Sequence, residues 1–276
     1  MPTSYPALVH TRAKRIVKYK SPTEHSFLSI SRWVIMVKKS EEGFTNPLGS
    51  SAYFPPPYPF KNAETIMVEF ETPREAIEAE LPEPLEFQPG TAFAVVQDAQ
   101  IASGAPFHEG YIFVRAKYKD QFGFYAPYVF GCPEEAVLAN REMYGWPEMI
   151  ADYPHPRHMK DGHTVTGTIQ RRGELLMKAS VTLERRAKPE ELPNMDDNFT
   201  LRKIPSPLKD GRPVRQVIHI RLEDSQLHDL WAGRGFLELG NSAQFNIRRL
   251  QPTRIVNAYY MVISWTLPHA RSVWDV

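Results

Sequence analysis

Cysteine is nearly absent from this chain, because Cys132 is the only one among its 276 residues. A single cysteine excludes an intrachain disulfide and fits a reducing compartment, so we expect a cytoplasmic protein. The sequence also lacks a phosphate-binding glycine loop and a dinucleotide-binding glycine fingerprint. The Gly-x-Ser-x-Gly turn that carries the nucleophile of many hydrolases is missing too. These absences exclude several common enzyme classes and predict that no nucleotide cofactor is bound.

An excess of one charge is absent as well. The chain has 33 basic and 32 acidic residues, a formal net charge of +1 and a pI of about 7.9. This balance does not indicate a polyanion-binding surface, so we expect no nucleic-acid partner. No apolar run approaches the roughly 18–20 residues that cross a bilayer, so we expect no membrane partner either.

Three histidines offer the best candidate for a metal site, and their context argues against one. His155, His158 and His163 match no helix-borne ligand spacing. Pro154 and Pro156 favour an exposed loop, so we predict solvated histidines and no metal. Cys132 lies just before a predicted helix start, where a thiol pKa can fall, but a buried small residue is the preferred interpretation.

Apolar side chains are plentiful enough for a sizeable core. Hydrophobic residues make up 42% of the chain and aromatic residues 12%, while 25 prolines favour short elements and turns. The stretch 1–59 reads as an N-terminal arm and linker. We prefer an arm that packs on a neighbouring subunit over a transit peptide, since 27–35 is too apolar for a free tail. Residues 60–276 form the predicted main domain.

Alternating polarity dominates the main domain. The stretch 111–118 alternates, 163–170 and 175–184 form a predicted hairpin, and 214–222 and 254–267 add strands. Helices are expected after Thr72, which would cap the first with Pro73 at its first position, and over 133–144. The predicted fold is therefore α+β and mainly antiparallel, a curved sheet or a closed β-barrel with a few peripheral helices.

Several motifs then resemble one known family. They are Leu81–Glu86, Phe107–Tyr111, Asn140–Ala151, Leu201–Pro205 and Trp231–Gly233, with a last strand that ends at Leu267-Pro268. In this order they resemble the acetoacetate decarboxylase family, and the resemblance extends from about 60 to 268. It implies the fold of that family and a homo-oligomeric assembly.

The departures from the family pattern bear directly on the chemistry. The family reads Gly-Arg-Glu, a few residues, then Pro-Lys-Lys, and its first lysine forms a Schiff base with a β-keto acid. Here the lysine position reads Glu148 and the next reads Met149. A family arginine and a second pocket glutamate align with Ala63 and Ala94, while Glu109 is kept. A carboxylate cannot form an imine, so the Schiff-base chemistry should not be transferred.

Two carboxylates in an apolar interior remain as the candidate catalytic groups, Glu148 and Glu109. Burial raises a carboxyl pKa, and two carboxyls with separated pKa values can divide acid and base roles. The substrate-binding candidates are Trp146, Tyr144, Tyr111, Arg141, Met149 and His108. Two alternatives stay open: a structural salt bridge between Glu148 and Arg141, and a catalytic lysine moved to Lys117, Lys178 or Lys203.

The favoured function is a lysine-independent relative of acetoacetate decarboxylase. It would act on a small oxo acid or a polyketide-like β-dicarbonyl compound by decarboxylation or a related lyase reaction, without metal or other cofactor. One alternative is a non-catalytic protein that binds small molecules. Another is an isomerase or cyclase of specialised metabolism.

Overall fold

The fold consists almost entirely of β-strands. The computed structural model describes residues 43–47, 49–100, 106–152 and 158–276. The strands are β1 (Tyr58–Glu71), β2 (Glu86–Phe87), β3 (Ala92–Gln100), β4 (Pro106–Tyr118), β5 (Gln121–Cys132), β6 (Glu148–Ile150), β7 (His158–Asp161), β8 (Thr164–Arg171), β9 (Glu174–Thr182), β10 (Arg185–Arg186), β11 (Asp197–Ile204), β12 (Val214–Arg221), β13 (Glu223–Ala232), β14 (Gly235–Leu239), β15 (Arg254–Leu267) and β16 (Ser272–Asp275). The helical segments are α1 (Arg74–Glu80), α2 (Glu134–Ala139), a π-helical turn (Asn140–Tyr144) and two short 3₁₀ turns (Pro189–Glu191 and Ile247–Leu250).

Two sheets carry these strands. The large sheet has 12 strands in the order β10-β13-β15-β1-β3-β4-β5-β11-β12-β16, with β2 beside β4 and β6 beside β5. Its ladders are antiparallel except for β5–β6 and β5–β11. The smaller sheet has the order β14-β9-β8-β7. Within the described ranges the large sheet is curved but its two end strands do not pair. The mainly antiparallel fold is therefore confirmed, and the closed-barrel alternative is wrong.

Strand β4 shows how the sequence builds a two-sided sheet. Side chains alternate across a strand, so Ile112 and Val114 point to one face while Tyr111 and Phe113 point to the other. The first pair packs with Ile169 and other residues of the small sheet in a fully apolar core. The second pair joins a separate aromatic cluster on the opposite face. One face of the large sheet is thus core, and the other is available to form a site.

The first helix begins differently from its prediction. It starts at Arg74, with Pro73 at the N-cap position in an extended conformation (ψ 141°). No side chain caps this end, and Thr72 Oγ1 is buried with no hydrogen-bond partner among the described residues. The predicted Thr72 capping box is wrong because the helix begins one residue later than the box requires.

The second helix is confirmed in position and changes pitch near its end. Regular α-helix spans Glu134–Ala139, a π-helical turn continues to Tyr144, and Gly145 ends it in the left-handed conformation (φ 75°). Glycine suits such a C-terminal position because it carries no Cβ. Pro147 follows, so the chain cannot stay helical and enters β6 at Glu148.

Other sequence predictions have mixed outcomes. The hairpin of β8 and β9 and the strands β12 and β15 are present. The predicted arm and linker, 1–59, lie mostly outside the described residues, so their role and the predicted oligomer stay predictions. No helix in the described ranges is long and apolar enough to span a bilayer.

Candidate active site

A cavity of about 410 Å³ lies on the concave face of the large sheet, opposite the small sheet. Its walls come from β1, β3, β4, β5 and β15, with the segment Pro189–Asp196 at one side. Aromatic rings form much of the surface: Phe60, Phe107, Tyr111, Phe113, Trp146 and Trp265. In such a largely apolar cavity, an ionisable group on the wall is a candidate for ligand binding or catalysis.

Glu109 is the buried carboxyl group among the described residues that line this cavity. It lies on β4 directly across from Gln97 on β3, and Gln97 Nε2 donates to Glu109 Oε2 at 2.7 Å. The glutamate is only 8% exposed. Burial raises its pKa well above the ordinary value, and the nearby Glu148 raises it further, although the Gln97 hydrogen bond lowers it.

Glu148 lies beside Glu109 but is not part of the cavity surface. It is completely buried at the start of β6. Its carboxyl occupies space above Gly131, since a Cβ placed there would lie 2.2 Å from Glu148 Oε1. Gly131 is the cross-strand partner of Glu109. The missing side chain of Gly131 therefore lets the Glu148 carboxyl approach Glu109 on the same face of the sheet.

Asn140 holds the Glu148 carboxyl in place. Its Nδ2 donates to Glu148 Oε2 at 2.5 Å, while Glu148 Oε1 has no partner among the described residues. Asn140 also lines the cavity. Burial raises the pKa of Glu148 to about 7, against the lowering effects of Asn140 and Arg141. Raised pKa values make these two carboxyls easier to protonate near neutral pH than ordinary carboxyls, and Glu109, on the cavity wall, can exchange a proton with a ligand.

Arg141 does not form the salt bridge considered for Glu148. Its Nη1 donates to the main-chain carbonyl of Glu148 at 2.8 Å and lies 3.5 Å from Met149 Sδ. The salt-bridge alternative is therefore wrong: the guanidinium fastens the backbone of β6. Neither Arg141 nor Met149 is on the cavity wall that the described residues form. Their assignment to substrate binding stays a prediction without a geometric basis.

The three predicted aromatic wall residues are only partly brought together. Tyr111 and Trp146 both line the cavity and pack around Phe113, with ring-centre distances of 4.7 Å and 6.1 Å. Tyr144 points elsewhere, because its hydroxyl donates to Pro268 O at 2.8 Å and its ring is buried in a different cluster. The hydroxyl of Tyr144 thus ties the end of the π-helical turn to the C-terminal region.

Comparison with known proteins gives the family. The family model described as acetoacetate decarboxylase (ADC) matches residues 44–276, which is most of the chain. The chain belongs to the acetoacetate decarboxylase family. It is 24% identical over 240 residues to acetoacetate decarboxylase 3 of Mesorhizobium japonicum, an alignment that covers 85% of this chain and 92% of the relative.

Solved structures show the same fold. The acetoacetate decarboxylase of Legionella pneumophila superposes with a TM-score of 0.76 at 24% identity and covers 85% of this chain and 95% of its own. The enduracididine biosynthesis enzyme MppR, complexed with the condensation product of pyruvate and imidazole 4-carboxaldehyde, superposes with a TM-score of 0.72 at 19% identity. That match covers 85% of this chain and 97% of MppR. The acetoacetate decarboxylase fold therefore extends across the described domain.

The Schiff-base position of the acetoacetate decarboxylase family shows paired departures here. By the motif resemblance, Glu148 corresponds to the family lysine and Asn140 to the glycine of the family motif. These two side chains are hydrogen-bonded to each other. Asn140 and Gln97 were not among the predicted site residues. The Gly-to-Asn departure within the motif was the signal that could have identified Asn140.

The proposed relocation of the catalytic lysine finds no place in the cavity. Lys117 lies 3.9 Å from Glu86, Lys178 lies over the ring of Phe236, and Lys203 is exposed. No lysine, arginine or histidine is among the described residues that line the cavity. Ala63 and Ala94, the positions aligned with a family arginine and glutamate, are buried in apolar clusters.

His108 lies on the opposite face of β4 from Glu109. Its Nδ1 is 2.6 Å from Asp98 Oδ1, and its Nε2 is 3.0 Å from the carbonyl oxygen of Thr168 in the small sheet. Because a carbonyl oxygen only accepts, Nε2 is the donor in its contact with Thr168. His108 therefore joins the two sheets, and the cavity surface formed by the described residues does not include it.

His158 corrects the prediction of solvated histidines. Its side chain is 3% exposed, with Nε2 3.4 Å from Asp98 Oδ2 and Nδ1 3.8 Å from Glu64 Oε2. These are charge-pair distances rather than hydrogen bonds. Strand β7 carries it into the region between the sheets, which the surrounding prolines did not reveal. His163 is exposed and His155 lies outside the described residues. No group of three or more His, Cys, Asp or Glu side chains that could hold a metal occurs in the described part of the chain.

Proposed function

We propose that this protein is a lysine-independent lyase of the acetoacetate decarboxylase family. In this proposal Glu109 performs acid–base chemistry on an enolisable carbonyl compound, and Glu148 acts through Glu109 as its proton-sharing neighbour. The observation that carries the proposal is the Glu109 carboxyl: it is buried, it lies on the cavity wall, and its pKa is raised by burial and by a second carboxyl.

The geometry assigns different parts to the two glutamates. Only Glu109 touches the cavity, so it is the candidate catalytic residue. Glu148 is buried and is not among the described lining residues, so in this proposal it is a positioning residue that sets the proton affinity of Glu109. Asn140 fixes Glu148, and Gln97 fixes Glu109. This division reverses the emphasis of the sequence-based hypothesis, which favoured Glu148 as the acting group.

The proposed step needs no imine. Protonated Glu109 donates its proton to a carbonyl oxygen of the ligand while the bond one carbon away from that carbonyl breaks. The electron pair of the breaking bond becomes the double bond of an enol. From the carboxylate of a β-keto acid the departing fragment is carbon dioxide; from an uncharged β-dicarbonyl compound, water adds to the second carbonyl as the bond breaks, so the departing fragment is a carboxylic acid. The resulting Glu109 carboxylate can then recover a proton as the enol returns to the ketone. General acid–base catalysis of this type contributes about 10²–10⁴-fold to a rate.

A test that does not require the natural substrate is solvent-deuterium exchange. Benzylacetone, an uncharged ketone with an aromatic ring, is incubated in deuterated buffer, and label at its α-carbons is followed by NMR. We expect exchange above the buffer rate with the natural sequence and at least about 100-fold less enzyme-dependent exchange with Glu109→Gln. Glu238→Gln is the matched control, because Glu238 is an exposed carboxylate on β14 of the small sheet.

A borohydride trap examines the competing Schiff-base mechanism. Intact-protein mass after incubation with acetoacetate and borohydride should show no reduced-imine adduct, while a lysine-containing member of the family labels in parallel. An adduct on this chain, or exchange that Glu109→Gln leaves unchanged, would show the proposed acid–base role to be wrong. Absence of exchange with both forms would instead favour the non-catalytic binding protein.

A further inference from the structure

The charge and size of the cavity carry an inference about the ligand. We propose that the site takes an uncharged β-dicarbonyl compound with an aromatic or similarly large apolar group, and that it discriminates against oxo acids. This inference rests on the proposed function, because it concerns the ligand of the same cavity. It selects one of the two substrate classes that the sequence left open.

The first support is the sign of the charges around the cavity. The acidic side chains on the wall are Glu109 and Asp196, and Glu148 is buried next to Glu109. Among the described lining residues no side chain is cationic. A ligand carboxylate would enter a poorly solvated space beside acidic side chains, with no cation among the described lining residues to offset the loss of its hydration.

The second support is the direction of the polar donors. Gln97 points its amide nitrogen at Glu109, and Asn140 points its own at Glu148. Asn198 directs both hydrogens of its Nδ2 to the main-chain carbonyls of Met195 and Asp196. Asn198 Oδ1 has no partner among the described residues. The amide nitrogens of Gln97, Asn140 and Asn198 therefore donate to groups of the protein itself.

Arg141 does not change this conclusion. It is the cation whose field acts on Glu148, and its guanidinium is fastened to the main chain of β6. The residue is exposed and lies outside the cavity wall. A ligand carboxylate inside the cavity has no direct contact with it.

The third support is size. The cavity of about 410 Å³ falls in the range of roughly 300–1,000 Å³ that encloses drug-sized ligands. A four-carbon oxo acid would leave most of that volume unfilled. Trp146, Phe113 and Trp265 offer ring faces against which an aromatic group can pack. Protonated Glu109 then supplies the hydrogen-bond donor that a dicarbonyl oxygen requires.

Four probe ligands distinguish the effect of ligand charge on binding from the effect of ligand size. Benzoylacetone and benzoylacetate differ only by a methyl group in place of a carboxylate oxygen, and acetylacetone and acetoacetate repeat that difference without the ring. Binding to the full chain is followed at neutral pH by quenching of tryptophan fluorescence and checked by titration calorimetry. We expect benzoylacetone to bind at least about ten-fold more tightly than benzoylacetate and than acetylacetone.

A variant identifies the source of the discrimination. Ser225→Lys places a cation on the cavity wall, so the affinity for benzoylacetate should rise about ten-fold while that for benzoylacetone changes by less than about three-fold. Glu238→Gln should change neither. Equal or tighter binding of the carboxylate probe by the natural sequence would overturn the inference, and so would failure of both aromatic probes to bind.

The outcomes also keep this inference separate from the proposed function. Selective binding of benzoylacetone without deuterium exchange of benzylacetone leaves the inference standing and removes the lyase. Exchange that depends on Glu109, combined with preferred binding of the carboxylate probe, leaves the acid–base chemistry standing and removes the inference.

Discussion

The two faces of the β3–β4 ladder place carboxylates in opposite electrostatic surroundings, one residue apart. On the cavity face, Glu109 is opposite Gln97 and beside another carboxyl, Glu148. On the core face, Asp98 is opposite His108. Since successive side chains alternate across a strand, a single ladder builds both environments.

The difference lies in what accompanies each carboxylate. Asp98 contacts two imidazoles, His108 at 2.6 Å and His158 at 3.4 Å, and through them ties β4 to the small sheet. Glu109 has an amide and a second acid as neighbours, so its environment opposes ionisation. Asp98 with its imidazole partners ties the two sheets together, whereas Glu109, without such partners, favours the protonated form that acid–base chemistry can use.

The largest expected effect comes from the same change on the two faces. Asp98→Asn should lower the free energy of unfolding by about 2–3 kcal/mol, because it removes a charged partner from buried imidazoles. Glu109→Gln should leave it unchanged or raise it, since the amide can still accept from Gln97 and no longer repels Glu148. Urea unfolding of both variants measures the contrast, and equal destabilisation would contradict the distinction between the faces.

A smaller effect is expected from Gly131→Ala. The new Cβ would lie 2.2 Å from Glu148 Oε1, so the carboxyl must move, and overpacking of this kind costs about 1–3 kcal/mol. The double variant Gly131→Ala with Glu148→Asp should recover much of that loss, because the shorter acid withdraws from the new methyl group. Urea unfolding checks this too. A double variant no more stable than the single one would show that the clash is not with Glu148.

The pH dependence of stability should also separate the two faces. The pKa of Glu148 is raised from 4.5 to about 7 in the folded protein. The folded state then binds more protons than the unfolded state between these pH values. The contribution of Glu148 to stability is therefore fully present below about pH 4.5 and is lost as pH rises through 7. One such proton changes the unfolding free energy by at most about 1.4 kcal/mol per pH unit. Glu148→Gln should flatten this decline in unfolding curves.

Glu64 lies opposite Asp98 on the core face of the sheet, and it serves as the opposite control. The ring of His158 and then Lys160 lower its pKa to about 2, against the effect of burial. Its contribution is present above about pH 4.5 and is lost as pH falls toward 2. Glu64→Gln should therefore lower stability at neutral pH, and the difference from the natural sequence should shrink as pH falls toward 2. A difference that stays constant down to pH 2 would contradict the assignment.

The smallest effect is expected at the exposed ion pair between Lys160 and Glu64. Lys160 Nζ is 2.9 Å from Glu64 Oε2, with the two side chains 54% and 38% exposed. Pairs this exposed contribute about 0.2–1 kcal/mol. Lys160→Gln should lower stability by less than about 1 kcal/mol, and added salt should reduce the difference. A larger loss in thermal or urea unfolding would mean that this pair is more deeply coupled to the core than its exposure indicates.

Local patterns were enough to predict much of the fold. The alternation over 111–118 gave the correct faces of β4, and the glycine and proline after 144 gave the end of the helix and the non-helical start at Glu148. Closure of the sheet was not predictable in this way, because it depends on whether distant end strands meet. The Thr72 cap failed for a local reason, the exact residue at which the helix begins.

The sequence identified both candidate glutamates, but it did not show where each lies relative to the cavity. Family resemblance singled out Glu109 and Glu148, yet only the folded chain shows that Glu109 lines the cavity and that Glu148 is buried next to it. Gln97 is selected by strand register, and His158 is buried by a sheet that is distant in sequence. Such relationships arise from tertiary packing, which a linear pattern of residues does not encode locally.

The buried position of the Glu148 carboxyl requires that residue 131 has no side chain. Because the carboxyl fills the volume that a side chain at 131 would need, the two positions cannot vary independently over generations. A lineage that acquired any larger residue at 131 first would have no room for this glutamate. Among related sequences, the acid at 148 should therefore occur together with glycine at 131, and a lineage that loses one should be free to change the other.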